Sequence, residues 1–182
     1  MAMRRLFIGA LIICCAVTTI LADCEVHSYF VSPAQDGVVR DVLHTLIDHA
    51  VSSIVIAVYS FTDSLLAEAL LDAHARGVNV VIFMDNAQAA NSHSMDEKLA
   101  EDGLEIYVDS FSYAFHHKFM VIDEFVTVTG SYNWSENANA NNFENVVIIS
   151  CPEIALEFLT EVAYLQGTYD FRRVVSSHGA AE

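Results

Sequence analysis

Residues 116–133 of this 182-residue chain have the sequence HHKFMVIDEFVTVTGSYN. They place His116, Lys118 and Asp123 in the spacing H-x-K-x-x-x-x-D, and Gly-Ser-x-Asn follows at residues 130–133. The side chains between these polar residues are mostly Val, Ile, Phe, Met and Thr, which favour strands, and an acidic pair interrupts the apolar run. The segment therefore predicts two antiparallel strands joined by a tight turn.

Strand geometry sorts the polar side chains of this hairpin onto faces. Residues two apart in a strand point the same way, so His116 and Lys118 share one face and His117 points to the other. A turn centred at the acidic pair, or one residue later, would set His116 opposite Ser131 or Asn133. An imidazole, an ammonium, a hydroxyl and a carboxamide would then lie together. Such a set of side chains can bind a phosphoryl group and provide a nucleophile that attacks it.

Asp123 is separated from these side chains by the same geometry. It lies five residues beyond Lys118, which is roughly 17 Å along a straight strand. Because five is an odd number of residues, its side chain would point to the opposite face of the strand. We therefore interpret Asp123 as a turn or support residue.

The joined pattern resembles the HKD signature of the phospholipase D superfamily, with its trailing Gly-Ser-x-Asn. Residues 142–146, NFENV, resemble the segment in which that family places a carboxylate partner for the histidine. A single motif in a short chain is similar to the small bacterial endonuclease-like members and to the mitochondrial cardiolipin hydrolase type. The resemblance covers about residues 25–175 and implies one phospholipase D-like α/β domain.

The resemblance also implies roles for individual residues. The implied catalytic set is His116, Lys118, Asp123 and Glu144, and the implied phosphate-binding set is Lys118, Ser131 and Asn133. His116 would form a covalent phosphohistidine, and Glu144 would orient its imidazole. Two such motifs meet across a twofold axis in the family, so a chain with one motif is expected to form a homodimer that shares one active site.

No cofactor and no metal are implied by the resemblance. Eukaryotic members of the family can insert a zinc-binding segment near the site. Because no cysteine occurs between Cys24 and Cys151, we predict no such segment in this chain.

The expected substrate is a phosphodiester, in either a phospholipid or a nucleic acid. The chain has eight basic and 24 acidic side chains and a formal charge of −16. Nucleic-acid-binding proteins usually carry a basic surface, which this sequence lacks, so its charge favours a smaller or zwitterionic substrate. The likeness to endonuclease-like members favours DNA or RNA, and both substrates stay open. An inactive exported binding or interaction protein with the same fold is the alternative function.

The first 22 residues differ in composition from the rest of the chain. Two arginines at positions 4 and 5 precede 17 uncharged, mostly apolar residues at 6–22, and Asp23 follows. This layout predicts a signal peptide and an exported protein, or an N-terminal membrane anchor that associates the chain with a membrane. Cys24 and Cys151 could form a disulfide in an oxidising compartment or remain two free thiols.

Hydrophobic periodicity gives the outline of the remaining elements. The predicted strands are 26–31, 53–61, 78–85, 104–108 and 144–150, with the hairpin between the last two, and the predicted helices are 36–52, 63–75, 95–102 and 152–166. Their alternation indicates βαβ units and a mixed, mostly parallel sheet flanked by helices. Residues 86–94 are predicted to be a loop, and residues 134–142 a loop or the start of a helix. The aromatic loop 109–115 could line an entrance, meet a second subunit or pack in the core, and residues 176–182 are predicted to be a disordered tail.

Overall fold

The computed structural model describes residues 23–33 and 37–175, which form an α/β domain around an eight-stranded sheet. The strands are β1 (Glu25–Val31), β2 (Ser53–Val58), β3 (Asn79–Met84), β4 (Glu105–Asp109), β5 (Lys118–Ile122), β6 (Val126–Gly130), β7 (Glu144–Ser150) and β8 (Phe171–Arg173). The helices are α1 (Val38–His49), α2 (Ser64–Ala75), α3 (Asn86–Ala89), α4 (Asp96–Glu101), α5 (Glu136–Ala140) and α6 (Pro152–Thr168). The N-terminal leader or anchor and the C-terminal tail predicted above lie outside the described residues. No helix within 23–33 and 37–175 combines the length and the apolar character needed to cross a bilayer.

The strand order is β1-β7-β6-β5-β2-β3-β4-β8. Between the strands described, β2–β3 and β3–β4 pair in parallel and the other five pairs are antiparallel. The prediction of a mixed α/β sheet is confirmed, but the expectation of a mostly parallel sheet is wrong. Among the described strands, parallel neighbours occur only at β2, β3 and β4, whereas the second half of the chain adds a hairpin and antiparallel neighbours. The short α3 and β8 were also missed, because four and three residues carry too little periodicity to be recognised.

Helices cover both faces of the sheet. On one face, α1 contributes Val39, Leu43 and Ile47 to the larger core, and each is at most 1% exposed. Burying one such side chain stabilises the fold by about 1.5–3 kcal/mol. The pair Thr62-Asp63 directly before an apolar-periodic segment predicts a helix cap, and Asp63 does cap α2, since its carboxylate accepts hydrogen bonds from the backbone N–H groups of Leu65 and Leu66. The second core lies under α6 and is rich in phenylalanine.

The predicted hairpin is present, but its register differs from the prediction by one residue. Asp123 and Glu124 form the turn with φ angles of 52° and 54°, and the N–H of Phe125 donates to the carbonyl of Ile122 at 3.0 Å. Ile122 pairs with Val126, so Phe125 is an extra residue whose carbonyl accepts from the N–H of Cys151 at 2.9 Å. The predicted pairing of His116 with Ser131 or Asn133 is therefore wrong.

Asp123 fastens this hairpin to the start of β2. Its carboxylate accepts hydrogen bonds from the N–H groups of Val51 at 3.0 Å, Ser52 at 2.7 Å and Ser53 at 3.0 Å, and from the Ser52 hydroxyl at 2.8 Å. Burial alone would raise the pKa of Asp123, but these hydrogen bonds outweigh it and hold the pKa below its ordinary value. Asp123 is thus a turn and support residue, as the strand geometry indicated.

A disulfide lies at the edge of the sheet formed by β1 and β7, at the same end as the hairpin turn. Cys24 and Cys151 are joined by an S–S bond of 2.03 Å. Of the two states left open by the sequence, the structure has the bonded one. The bond ties the start of β1 to the end of β7, and Glu144 lies at the other end of the same pair of strands.

We predict that Asp123→Asn lowers the free energy of unfolding at pH 7 by about 1–3 kcal/mol, because a charged acceptor of four hydrogen bonds becomes a neutral amide. A carboxylate with a lowered folded-state pKa contributes stability above its ordinary pKa of about 3.9, and this contribution is lost as the pH falls through the folded value. Urea unfolding at pH 7 and below pH 4 should therefore show a difference between wild type and variant that shrinks with acid. Glu124→Gln, in the same turn, is the matched control, and an Asp123 variant as stable as this control at pH 7 would contradict the prediction.

Candidate active site

His116 and Lys118 meet at the beginning of β5. The Lys118 Nζ lies 3.3 Å from both Nδ1 and Nε2 of His116, and it also donates to the His116 carbonyl at 3.2 Å. The ammonium can therefore donate to whichever ring nitrogen lacks a hydrogen. His116 is exposed and Lys118 is half-buried, so the imidazole is open to solvent while the ammonium is held beneath it. The predicted sharing of one face by these two residues is confirmed.

Tyr59 supports this pair from the neighbouring strand. Its ring centroid lies 4.5 Å from that of His116, and Lys118 Nζ lies 5.0 Å from the Tyr59 centroid, within the range of a cation–π contact. Its phenolic oxygen accepts a hydrogen bond from Gln88 at 3.1 Å. The N–H of Tyr59 donates to the His117 carbonyl at 2.8 Å, which extends the pairing of β2 with β5 to the site. Sequence reasoning missed Tyr59, because its only sequence signal was a place near the end of an apolar run.

Glu144 acts on Lys118 from β7, which β6 separates from β5. Burial lowers the pKa of Lys118, and the carboxylate of Glu144 opposes this shift. The Ser131 hydroxyl donates to one oxygen of Glu144, and the Asn142 amide donates to the other at 2.8 Å. Both oxygens are thus engaged, and the contacts among the described residues include no hydrogen bond between Glu144 and His116. The predicted orientation of the imidazole by Glu144 stays a prediction.

Gly130 and Ser131 join β6 closely to β7. A Cβ atom at Gly130 would lie 2.1 Å from the carbonyl oxygen of Asn145, so no larger residue fits without moving the backbone. The Ser131 N–H donates to that carbonyl at 3.0 Å, and the Asn145 N–H donates to the Ser131 hydroxyl at 3.0 Å. The glycine of the Gly-Ser-x-Asn motif therefore allows the approach that sets Ser131 against Glu144.

Asn133 lies where the chain returns alongside the end of β2. The next residue, Trp134, exchanges backbone hydrogen bonds with Ser60 and Thr62 at 3.1 and 2.7 Å. The Asn133 Oδ1 is buried and has no hydrogen-bond partner among the described residues. A half-turn of the carboxamide exchanges its oxygen and nitrogen, so Asn133 can offer either an acceptor or a donor to a bound group.

His117 points to the other side of the sheet, as predicted. Its ring packs edge-on against Phe115 and Phe119, with centroids 5.1 and 5.4 Å away. Burial lowers the pKa of His117; the carboxylate of Glu161 opposes this shift, and the charges of Lys118 and His116 add to it. His117 is thus a supporting residue in an aromatic cluster.

Two buried carboxylates hold the loop that leads into the site. Asp85 accepts a hydrogen bond from the N–H of Phe115 at 2.9 Å, and Asp109 accepts from the N–H groups of Asn86 and Phe111 at 2.8 and 3.3 Å. Burial raises the pKa of Asp109, and the nearby Asp85 adds to this shift, while the two hydrogen bonds oppose it. These acids fix the chain immediately before His116.

The aromatic residues of this loop divide between the alternatives that the sequence left open. Phe115 is buried and Phe111 is half-buried in the core under α6, whereas the Tyr113 side chain is 77% exposed. Tyr113 alone keeps the surface position expected for an entrance or a subunit contact.

The structure thus gathers most of the predicted site at one end of the sheet, but not Asp123. Asp123 follows the last residue of β5, while His116 precedes the first, so the strand separates them. The single group of potential metal ligands found among the described residues is Cys24, Cys151 and Glu153, in which the two cysteines are bonded to each other.

The sequence and fold are similar to those of known proteins. A family model described as "Cardiolipin synthase, PLD-like domain" matches residues 43–165 of this chain. The chain is 32% identical over 139 residues to a phospholipase D of Rickettsia conorii, covering 76% of this chain and 68% of that one, and 36% identical over 125 residues to a mitochondrial cardiolipin hydrolase of Xenopus tropicalis, covering 69% and 60%. Across the first curated relatives, the matched region spans between 46% and 68% of their length.

A solved structure agrees over nearly the whole described domain. Nuc from Salmonella typhimurium, a phospholipase D family member, superposes with a TM-score of 0.77 at 28% identity, covering 85% of this chain and all of that one. Because the family match covers more than half of the chain, the chain belongs to the phospholipase D-like family.

Proposed function

We propose that this chain is a metal-independent phosphodiester hydrolase that acts through a phosphohistidine at His116. The contact that carries the proposal is the one between Lys118 and His116, because it sets a cation and a nucleophile against each other at an exposed edge. Lys118 and Asn133 would hold the phosphate oxygens, and Ser131 would add a hydrogen bond. This positive charge and these polar groups could stabilise the charge that develops on the phosphoryl oxygens.

The proposed reaction has two in-line steps. A ring nitrogen of His116 attacks phosphorus, the P–O bond to the leaving alcohol breaks, and that oxygen takes a proton from a second imidazolium. Water then attacks phosphorus, the second imidazole takes its proton, and the P–N bond breaks to release the phosphate monoester. His116 serves as the nucleophile, so a different group must act as acid and base.

We propose that this second group is the His116 of another copy, in a homodimer with one shared active site. The exposed position of His116 supports this arrangement, because a partner could approach it directly. His117 is a poor alternative acid, since it faces the aromatic cluster and burial lowers its pKa. A twofold axis beside the site would bring the two imidazoles together.

The relatives support two substrate classes, phospholipids and nucleic acids. Their names include phospholipase D and mitochondrial cardiolipin hydrolase, and the resemblance of the sequence to endonuclease-like members of the family keeps nucleic acid as the second class. The formal charge of −16 disfavours a long polyanion. The alternative function is a binding protein that keeps the fold without turnover, and substrate binding without hydrolysis would identify it.

We also propose that the protein is exported, with residues 1–22 acting as a signal peptide or anchor that associates it with a membrane. The disulfide between Cys24 and Cys151 supports an oxidising compartment. Intact-mass analysis of protein isolated from its native source should find an oxidised pair at these two cysteines. A chain recovered with both thiols free would contradict the proposal.

The histidine mechanism predicts that His116→Ala lowers kcat at least about 10³-fold while the wild type stays fully active in excess chelator. Hydrolysis of a chromogenic phosphodiester measures both effects, and single-stranded DNA, RNA, phosphatidylcholine and cardiolipin assayed at two salt concentrations identify the substrate class. His44→Ala, which changes a half-exposed histidine of α1, is the matched control and should keep full activity. Activity that disappears with chelator would overturn the metal-independent mechanism.

The shared site predicts that a mixed dimer of one wild-type and one His116→Ala subunit is nearly inactive. Two different affinity tags allow its purification, and sedimentation measures its size. Independent sites would instead leave half of the wild-type activity. A mixed dimer of wild type and His44→Ala, prepared in the same way, should be fully active, and an active wild-type monomer would contradict the shared site.

A further inference from the structure

A cavity extends from the site towards α6, and the residues proposed for catalysis form only part of its wall. Its volume is about 360 Å³, within the roughly 300–1,000 Å³ typical of small-molecule sites. Its lining residues are His116, His117, Lys118, Phe119, Thr129, Gly130, Glu157, Phe158 and Glu161. Residues from both faces of β5 contribute to this lining, so the cavity lies at the end of the sheet where β5 begins. A phosphate held by His116 and Lys118 would occupy one end of it, with space beside it for a further group.

The wall contributed by α6 is acidic. Glu157 and Glu161 are four residues apart and lie on the same side of the helix, and both side chains are exposed. Glu161 is close enough to His117 to act on its pKa. Within the described lining, Lys118 is the one permanently cationic side chain, so the far end of the cavity is negatively charged.

Phe158 lies between these two acids along α6 and gives the same wall an aromatic surface. Its half-buried ring packs against Phe119 with centroids 4.9 Å apart, which fixes the ring in place. Carboxylates together with an aromatic face are suited to a quaternary ammonium group, through Coulomb attraction and a cation–π contact. A second phosphate at this position would be repelled.

From this arrangement we propose that Glu157, Phe158 and Glu161 form a subsite for a positively charged substituent of the phosphodiester, which selects a zwitterionic substrate over a polyanion. The inference rests on the proposed function, because the phosphate of the same substrate is bound by Lys118 and His116. The subsite binds the part of the substrate that does not react, so its acids determine specificity and take no part in bond breaking.

The test compares two diesters with the same leaving group, para-nitrophenyl phosphorylcholine and para-nitrophenyl methyl phosphate. We expect wild type to favour the choline diester in kcat/KM. The double variant Glu157→Gln/Glu161→Gln should lower kcat/KM for the choline diester about three- to tenfold, mainly through KM, since exposed charge pairs are individually weak. The same variant should raise kcat/KM for the methyl diester, because two charges that repel its phosphate are gone.

The matched control removes two exposed acids elsewhere, Glu68 on α2 and Glu97 on α4, as Glu68→Gln/Glu97→Gln. It makes the same change in net charge and should leave the preference between the two diesters unaltered. If both double variants change the two diesters equally, the subsite does not exist and net charge alone is responsible. Phosphatidylcholine vesicles and soluble glycerophosphocholine, assayed in parallel, distinguish a lipid from a small soluble substrate with the same group.

A binding measurement separates failure of the subsite from failure of the proposed catalysis. Calorimetry with phosphorylcholine and with methyl phosphate measures the affinity of the site for each compound without turnover. If wild type binds phosphorylcholine more tightly than methyl phosphate and Glu157→Gln/Glu161→Gln loses this difference, the subsite is supported. This holds even if wild type hydrolyses neither diester, since the lack of hydrolysis would overturn only the proposed hydrolase function. Equal binding of both compounds by wild type would overturn the subsite whatever the activity.

Discussion

The antiparallel pairing of β5 with β2 is the contact on which the rest of this structure depends. β2 begins the parallel part of the sheet, and β5 begins the antiparallel part, so the register from Ile54 against Ile122 to Val58 against Lys118 joins the two halves. Asp123 fastens one end of this pairing through its hydrogen bonds to the start of β2. At the other end, the same pairing places Tyr59 against His116. The interaction that completes the sheet therefore also positions the proposed nucleophile.

Sequence reasoning predicted the parts of this arrangement that depend on local pattern. The hairpin, the shared face of His116 and Lys118 and the opposite direction of His117 follow from the period of two in a strand, and the structure confirms them. The cap at Asp63 follows from a similarly local rule. These features need no knowledge of which strands become neighbours.

The parts that were wrong or missed depend on contacts between distant residues. The hairpin contains Phe125 as an extra residue, and the carbonyl of Phe125 is bound by Cys151, which lies 26 residues further along the chain. Tyr59 could not be identified because nothing in its own segment shows that β2 pairs with β5. The sheet became mostly antiparallel for the same reason, since β1 pairs with β7 rather than with β2. A one-residue register change alters which side chains share a face, so it limits any site derived from spacing alone.

The charge balance of the site explains how an acidic chain could hold a phosphate. Glu144 opposes the loss of a proton from half-buried Lys118, while Ser131 and Asn142 donate to the two carboxylate oxygens. The carboxylate is thus occupied by neutral donors, and the ammonium remains directed at the exposed imidazole. Electrostatic attraction at this point is short in range, because solvent and salt screen the remaining surface charge beyond roughly 8–10 Å. A phosphate at His116 would therefore respond to Lys118 and to the acids of the adjacent cavity, whereas the net charge of the molecule would chiefly affect how a long polyanion approaches it.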